Sequence, residues 1–451
     1  MSQSLPNQSE STSRKVWQLA WPTILSNLLF TTVGFAHIRI AAELGTSAVA
    51  AVTTGHRVFF LIQAVLMGLS VAATATVARA WGAEQVRQAE RAAWSAMQVS
   101  VIFAALLALP TLLVPTAIAS LFSLDEPTTL SASGFIFWLG VFSISSALNM
   151  MLSTALRATG DVITPLWFLL ASSILNITFG VILALGYSPL PAMGVSGIAL
   201  GGGSAGFTVT LVFLAFWWRG RFKLLPLREL AVNMRQVKEL ITIGAPAMVE
   251  QAIIQLSFLV FFGILAHYGT NAYAAYGIGI SIVSFPIVIG FGFGIAAATL
   301  VGQQLGAGRP ELAVAAGWRS LRLALLAMVS GSIVLVVFAD PLARFMIDDP
   351  EVVHFTKVFL YMIAAAQPMM ACEMALAGAL RGAGDTRFPL FSTFCGLMLG
   401  RLIPAWVFFT LGLSVYWIFA VMLFDYSLKA ILLIHRYRSH KWLDIKVGTG
   451  S

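Results

Sequence analysis

Charged side chains are scarce in this sequence: only 10% of its residues are Asp, Glu, Lys or Arg. A soluble domain carries about 25%, so a chain-wide water-facing surface is excluded. Cysteine is nearly absent too. The two present, Cys372 and Cys395, both fall in apolar stretches, which argues against a disulfide framework. No compact apolar core with a small-residue cleavage site follows the polar N-terminus, so a cleavable signal peptide is not expected. No nucleotide-binding motif, metal-ligand cluster or nucleophile–base spacing is visible. Gly201-Gly202-Gly203 sits in an apolar run and lacks the Lys-Ser/Thr of a P-loop. The reading is therefore a non-enzyme without a cofactor.

What remains is apolar. Hydrophobic residues make up 59% of the chain, and the mean hydropathy is +0.87. Runs near or above ~20 residues recur, long enough to cross a bilayer as helices. Helices satisfy their own backbone hydrogen bonds, which lipid cannot. Twelve spans are expected, at 16–42, 47–76, 92–118, 131–155, 163–187, 193–218, 239–266, 271–302, 315–339, 355–379, 388–412 and 415–435. Residues 1–13 read as a disordered tail, and 441–451 as a second tail.

The spans are duplicated. Residues 22–165 lie over 246–389 at an offset of 224. Pro22 falls on Pro246, Gly45-Thr46 on Gly269-Thr270, Trp94 on Trp318, and Ala155-Leu156-Arg157 on Ala379-Leu380-Arg381. A slip of about one residue is expected near Asp125 and Asp349. Six spans per repeat is an even number, so both repeats enter the membrane in the same sense. The expected fold is all-α: two six-helix lobes, 14–218 and 239–440, related by a pseudo-twofold axis along the membrane normal, with a cavity between them. The basic stretch 219–238 is the expected linker.

The net charge of +8 follows topology rather than nucleic acid. Basic residues gather in alternate connections: Arg14 and Lys15, then Arg79, Arg87 and Arg91, then Arg219, Arg221, Lys223, Arg228, Arg235 and Lys238, then Arg436, Arg438, Lys441 and Lys446. The positive-inside rule places both termini and the linker in the cytoplasm of a multi-pass cell-membrane protein of bacterial inner-membrane type.

The chain resembles the multidrug and toxic compound extrusion (MATE) family, closer to its NorM-like branch. The resemblance rests on Pro246-xxx-Glu250, the turn Gly269-Thr270-Asn271-Ala272-Tyr273, the run Gly302-Gln303-Gln304-Leu305-Gly306, and the paired segments 155–161 and 379–385. It implies a monomeric secondary exporter that moves amphipathic organic cations or drugs out in exchange for inward H⁺ or Na⁺. Membrane lipids, the drug and the coupling cation are then its partners.

Carboxylates deep in a bilayer are costly and ask for a function. Glu250 lies ~15 Å into its span and Glu373 ~12 Å, at about 1.5 Å per residue. Both are candidate ion-coupling residues, at similar depth in one lobe. The offset sets them over neutral residues, Ser26 and Asn149. The resemblance supports Glu250 directly. It puts the family's tenth-span acid at Met370, one turn from Glu373. Candidate cavity residues are Asn27, His37, Asn149, Asn176, Gln251, Gln255, Tyr273, Tyr276, Gln367 and Met370. The N-terminal lobe departs from the family: His37 and Gly180 stand where acids are usual, with Arg39, Glu43, His56 and Arg57 close by in sequence or depth. The segments 157–161 and 381–385 read as cytoplasmic turns with Arg–Asp pairing. A flippase or exporter of a lipid-linked or anionic substrate stays open on His37, Arg39 and Arg57.

Overall fold

The computed structural model describes residues 8–186, 191–227, 234–445 and 447. Residues 1–7 of the expected tail, and Arg228 and Lys446 of the basic clusters, lie outside them. Among the described residues, twelve helices are long and apolar enough to span a membrane. They are α1 (Gln8–Leu44), α2 (Thr46–Gly82), α3 (Val86–Leu113), α4 (Glu126–Ala158), α5 (Ile163–Leu185), α6 (Gly194–Trp218), α7 (Met234–Ala266), α8 (Thr270–Gly306), α9 (Pro310–Val337), α10 (Pro350–Gly382), α11 (Arg387–Thr410) and α12 (Val415–Arg438). The chain is a multi-pass membrane protein. Each expected span has its helix. The tail differs from expectation, because α1 is already helical from Gln8. The C-terminal tail is anchored: Trp442 is buried, stacks on Tyr437, and donates its indole N–H to the Tyr437 carbonyl.

The duplication is kept at the level of whole elements. α2 and α8 each have 37 residues, α3 and α9 28, α4 and α10 33, all starting 224 residues apart. No slip occurs at Asp125 and Asp349, contrary to expectation. Both are N-caps at the same offset, each followed by a proline in the first turn. Their carboxylates accept from the free amides of that turn: Asp125 from Thr128, and Asp349 from Glu351 and Val352. The Asp N-cap keeps the register, although the proline stands one residue later in α4 (Pro127) than in α10 (Pro350). One close approach is also duplicated. A Cβ at Gly55 would collide with the Phe135 ring, and one at Gly279 with the Phe359 ring. Glycine there lets α2 meet α4, and α8 meet α10, at ring-contact distance.

Chain order suggests lobes 14–218 and 239–440, but packing divides the chain inside helices. One compact unit is Leu25–Met248, and the other is Met1–Ile24 with Val249–Ser451. The divisions fall two residues after Pro22 and Pro246, which lack an amide hydrogen and interrupt α1 and α7. In the first unit α4 lies against α2, α3 and α6, and α5 pairs with α6. In the second, α10 lies against α8, α9 and α12.

The repeat breaks at α11. Its middle, Gly396–Leu402, is wound as a π-helix, whereas α5 is regular throughout. A π segment is one residue too many for the α-helical ladder, and it recurs at functional sites. Here it packs on α12. A Cβ at Gly396 would stand 2.5 Å from Asp425 Oδ1, and one at Gly400 2.6 Å from Asp425 Cα.

Candidate functional site

In the unit that contains α8, the bare backbone at Gly396 and Gly400 brings the π segment onto Asp425 and aims Arg401 at it. The Arg401 guanidinium pairs with the Asp425 carboxylate, both side chains fully enclosed. Three rings surround it, Phe258, Phe261 and Tyr426, with centroids 5.8, 5.9 and 5.5 Å from Cζ. One turn further along α12, Lys429 Nζ lies 3.2 Å from Asp425 Oδ1 and 3.2 Å from Glu373 Oε1. Two acids and two bases thus share one buried network on α10, α11 and α12. Glu373 Oε2 has no hydrogen-bond partner.

Glu250 is held separately. Its side chain is 3% exposed. Oε1 accepts from Arg381 Nη2 at 2.7 Å and from Thr393 Oγ1 at 2.8 Å. Arg381 ends α10 and Thr393 precedes the π segment on α11, so three helices fix one carboxylate oxygen. Sequence reasoning expects Glu250 and Glu373 as ion-coupling carboxylates at similar depth in one lobe. The structure supplies basic partners to both. The expected Arg–Asp pairing inside 157–161 and 381–385 is also absent. Asp385 turns to the start of α11, accepting from the Phe388 amide, and pairs with Arg436. Asp161 turns likewise to Thr164. Each carboxylate is committed to capping the next helix, which leaves Arg381 for Glu250.

The remaining candidates of this unit vary. Gln367 and Met370 are fully buried, and neither end of the Gln367 amide finds a partner. Tyr276 is buried among Phe261, Phe262 and Phe359 with an unpartnered hydroxyl. Tyr273 is exposed beside Phe262, and Gln251 and Gln255 are half-buried.

In the other unit, His37 and Asn176 come together as an unbroken chain with His56. His37 Nε2 is 2.7 Å from Asn176 Oδ1, and His37 Nδ1 is 3.3 Å from His56 Nε2. A consistent assignment has His37 donating from Nε2 to the Asn176 oxygen and accepting from His56 at Nδ1. Asn149 bonds elsewhere, donating to Thr210 at 3.3 Å. Asn27 is half-buried. Arg39 and Glu43 form their i,i+4 pair in an exposed position.

Arg401, Asp425, Lys429 and Thr393 are absent from the sequence-based candidates. The signal for three of them was present: each is an ionisable residue inside an expected span, which is itself a functional marker.

The MatE family profile matches residues 22–182 and 246–407, one copy on each repeat. The chain belongs to the MatE family. Among MatE relatives, the probable multidrug resistance protein NorM of Thermotoga maritima is 28% identical over 447 residues, covering 97% of this chain and 95% of its own. The FAD transporter of Shewanella oneidensis is 23% identical, with 86% of each chain covered. The crystal structure of a mutant Vibrio cholerae MATE transporter, VcmN, superposes with a TM-score of 0.89 at 21% identity, covering 96% of this chain and 99% of its own. That likeness establishes the MatE fold, with its two six-helix lobes.

Proposed function

We propose that this MatE chain is a secondary active exporter of amphipathic organic cations or drugs, driven by inward H⁺ or Na⁺, with Glu250 as the coupling carboxylate. One observation carries the reading: a buried carboxylate inside a membrane-length helix, bonded through Oε1 to Arg381 and Thr393. An ionised Glu250 holds the Arg381 guanidinium by a charge-assisted bond. A proton or Na⁺ taken up at Glu250 weakens that bond and frees Arg381. Two states of one pair, each favoured by a different ion condition, are what ion coupling requires. The names of relatives such as NorM support the drug class. The basic stretches support cytoplasmic termini.

The test is efflux of an ethidium-like cation from proteoliposomes under H⁺ or Na⁺ gradients imposed separately. Glu250→Gln is expected to fold and to lose gradient-driven efflux. Full transport by that variant refutes the assignment.

A second reading, export of an anionic substrate, is favoured by the FAD transporter relative and by the buried Arg401 and Lys429. FAD in place of ethidium in the same liposomes tests it. FAD transport without cation transport selects that reading.

A further inference from the structure

The two cations of the buried network are held in different ways. Arg401 is fixed: it is always charged, packed between three rings, and paired with Asp425. Lys429 is a point charge on a flexible stem. Its Nζ stands 3.2 Å from each of two carboxylates, beyond the ~2.7–2.9 Å of a strong charge-assisted bond. The Tyr426 ring lies 5.1 Å from it, within cation–π reach. Glu373 Oε2 is left without a hydrogen-bond partner. Two carboxylates and an aromatic face around one ammonium describe a monovalent-cation site whose occupant is tied to the protein.

We propose that Lys429 Nζ is a tethered occupant of a monovalent-cation site formed by Glu373, Asp425 and the Tyr426 ring, and that a free cation, a primary ammonium group or Na⁺, binds there by displacing it. This rests on the reading of the chain as a cation exporter, but it needs neither Glu250 nor its partners. Arg401 offsets the charge of Asp425, so the site without Lys429 carries the single negative charge of Glu373. That charge suits one monovalent cation and leaves a second one unneutralised.

The experiment measures thermal unfolding of the purified full-length protein in detergent. Titrants are NaCl and methylammonium chloride, with choline chloride as the ionic-strength control. Lys429→Gln is expected to melt below wild type in choline and to regain stability in Na⁺ or methylammonium. At a hundred times Kd, the folded-to-unfolded ratio rises about a hundredfold. Wild type is expected to respond only at higher concentrations, because its own lysine competes. A response to Na⁺ alone assigns the site to alkali ions, and a response to methylammonium alone to ammonium groups. A response equal to that in choline overturns the proposal. So does an unreduced response in Glu373→Gln/Lys429→Gln. If Lys429→Gln does not fold, Lys429→Arg decides. It keeps the charge and grips both carboxylates with a planar fork, so it should bind the free cation more weakly than wild type. Equal binding overturns the proposal. Glu250→Gln is run in parallel. Normal transport by that variant, with the Lys429→Gln response intact, sinks only the Glu250 assignment. Lost transport with no Lys429→Gln response sinks only the tethered occupant.

Discussion

Removing the Arg401 guanidinium leaves a charge that the rest of the network cannot absorb. Arg401→Met leaves Asp425 and Glu373 facing Lys429 alone, one negative charge in excess around a fully buried Asp425. Breaking a buried pair from one side costs about 3–5 kcal/mol, and the upper part of that range applies here, since Asp425 is 0% exposed. Asp425→Leu leaves Arg401 unpaired, yet the guanidinium keeps its three rings. Ring contacts of this kind are each worth about 0.5–2 kcal/mol, so this variant belongs at the lower end. The double variant restores neutrality, with Lys429 against Glu373. It should lie within about 1 kcal/mol of wild type, because a well-packed apolar pair replaces an ion pair at little net cost. The assay is a double-mutant cycle, with unfolding followed in mixed detergent micelles. A coupling energy of several kcal/mol is expected. Additivity within about 0.5 kcal/mol refutes the balanced-network account.

Other perturbations follow from the same geometry. Gly400→Ala forces α11 away from the Asp425 backbone and should cost about 1–3 kcal/mol, whereas Gly206→Ala points into open space and should leave the melting temperature nearly unchanged. Asp340, in the short helix Ala339–Met346, accepts from Lys357 and Arg344, and these bonds hold its carboxyl below the usual range, Lys357 contributing most. Its stabilising effect is present above the free carboxyl pKa of ~3.9 and is lost as pH falls through the lower folded value. Asp340→Asn should therefore flatten the acid side of a melting-temperature profile, and an unchanged profile rejects the pairing. His37→Ala breaks the chain to His56 and Asn176. It is expected to lower drug efflux modestly over roughly pH 5.5–8 and to keep its ion dependence. Loss of that dependence would move coupling to this unit.

The fold was legible in the sequence because lipid allows few solutions. Apolar run length alone located twelve helices, and Gly45 and Gly269 marked the matching starts of α2 and α8. Glu250 and Glu373 were legible as buried acids, and the depth estimate that set His37 near His56 agrees with their 3.3 Å contact. Partner choice was not legible. Arg381 reads as a turn residue beside Asp385, and only the commitment of Asp385 to the start of α11 shows that Arg381 faces Glu250. The π segment was hidden for a different reason. One surplus residue in an apolar run leaves length and hydropathy almost unchanged, so nothing in the composition marks where the winding loosens.

That surplus residue acts as a phase shifter. Each α-helical residue turns the chain by about 100°, so one surplus residue within Gly396–Leu402 is enough to change which side chains of α11 face its neighbours. Two copies of one repeat can therefore keep the same helix starts and the same Asp caps while showing different faces to their neighbours. Deleting one residue within the bulge should undo the rotation and return α11 to the winding of α5. Arg401 would then lose its line to Asp425 without any change of side chain.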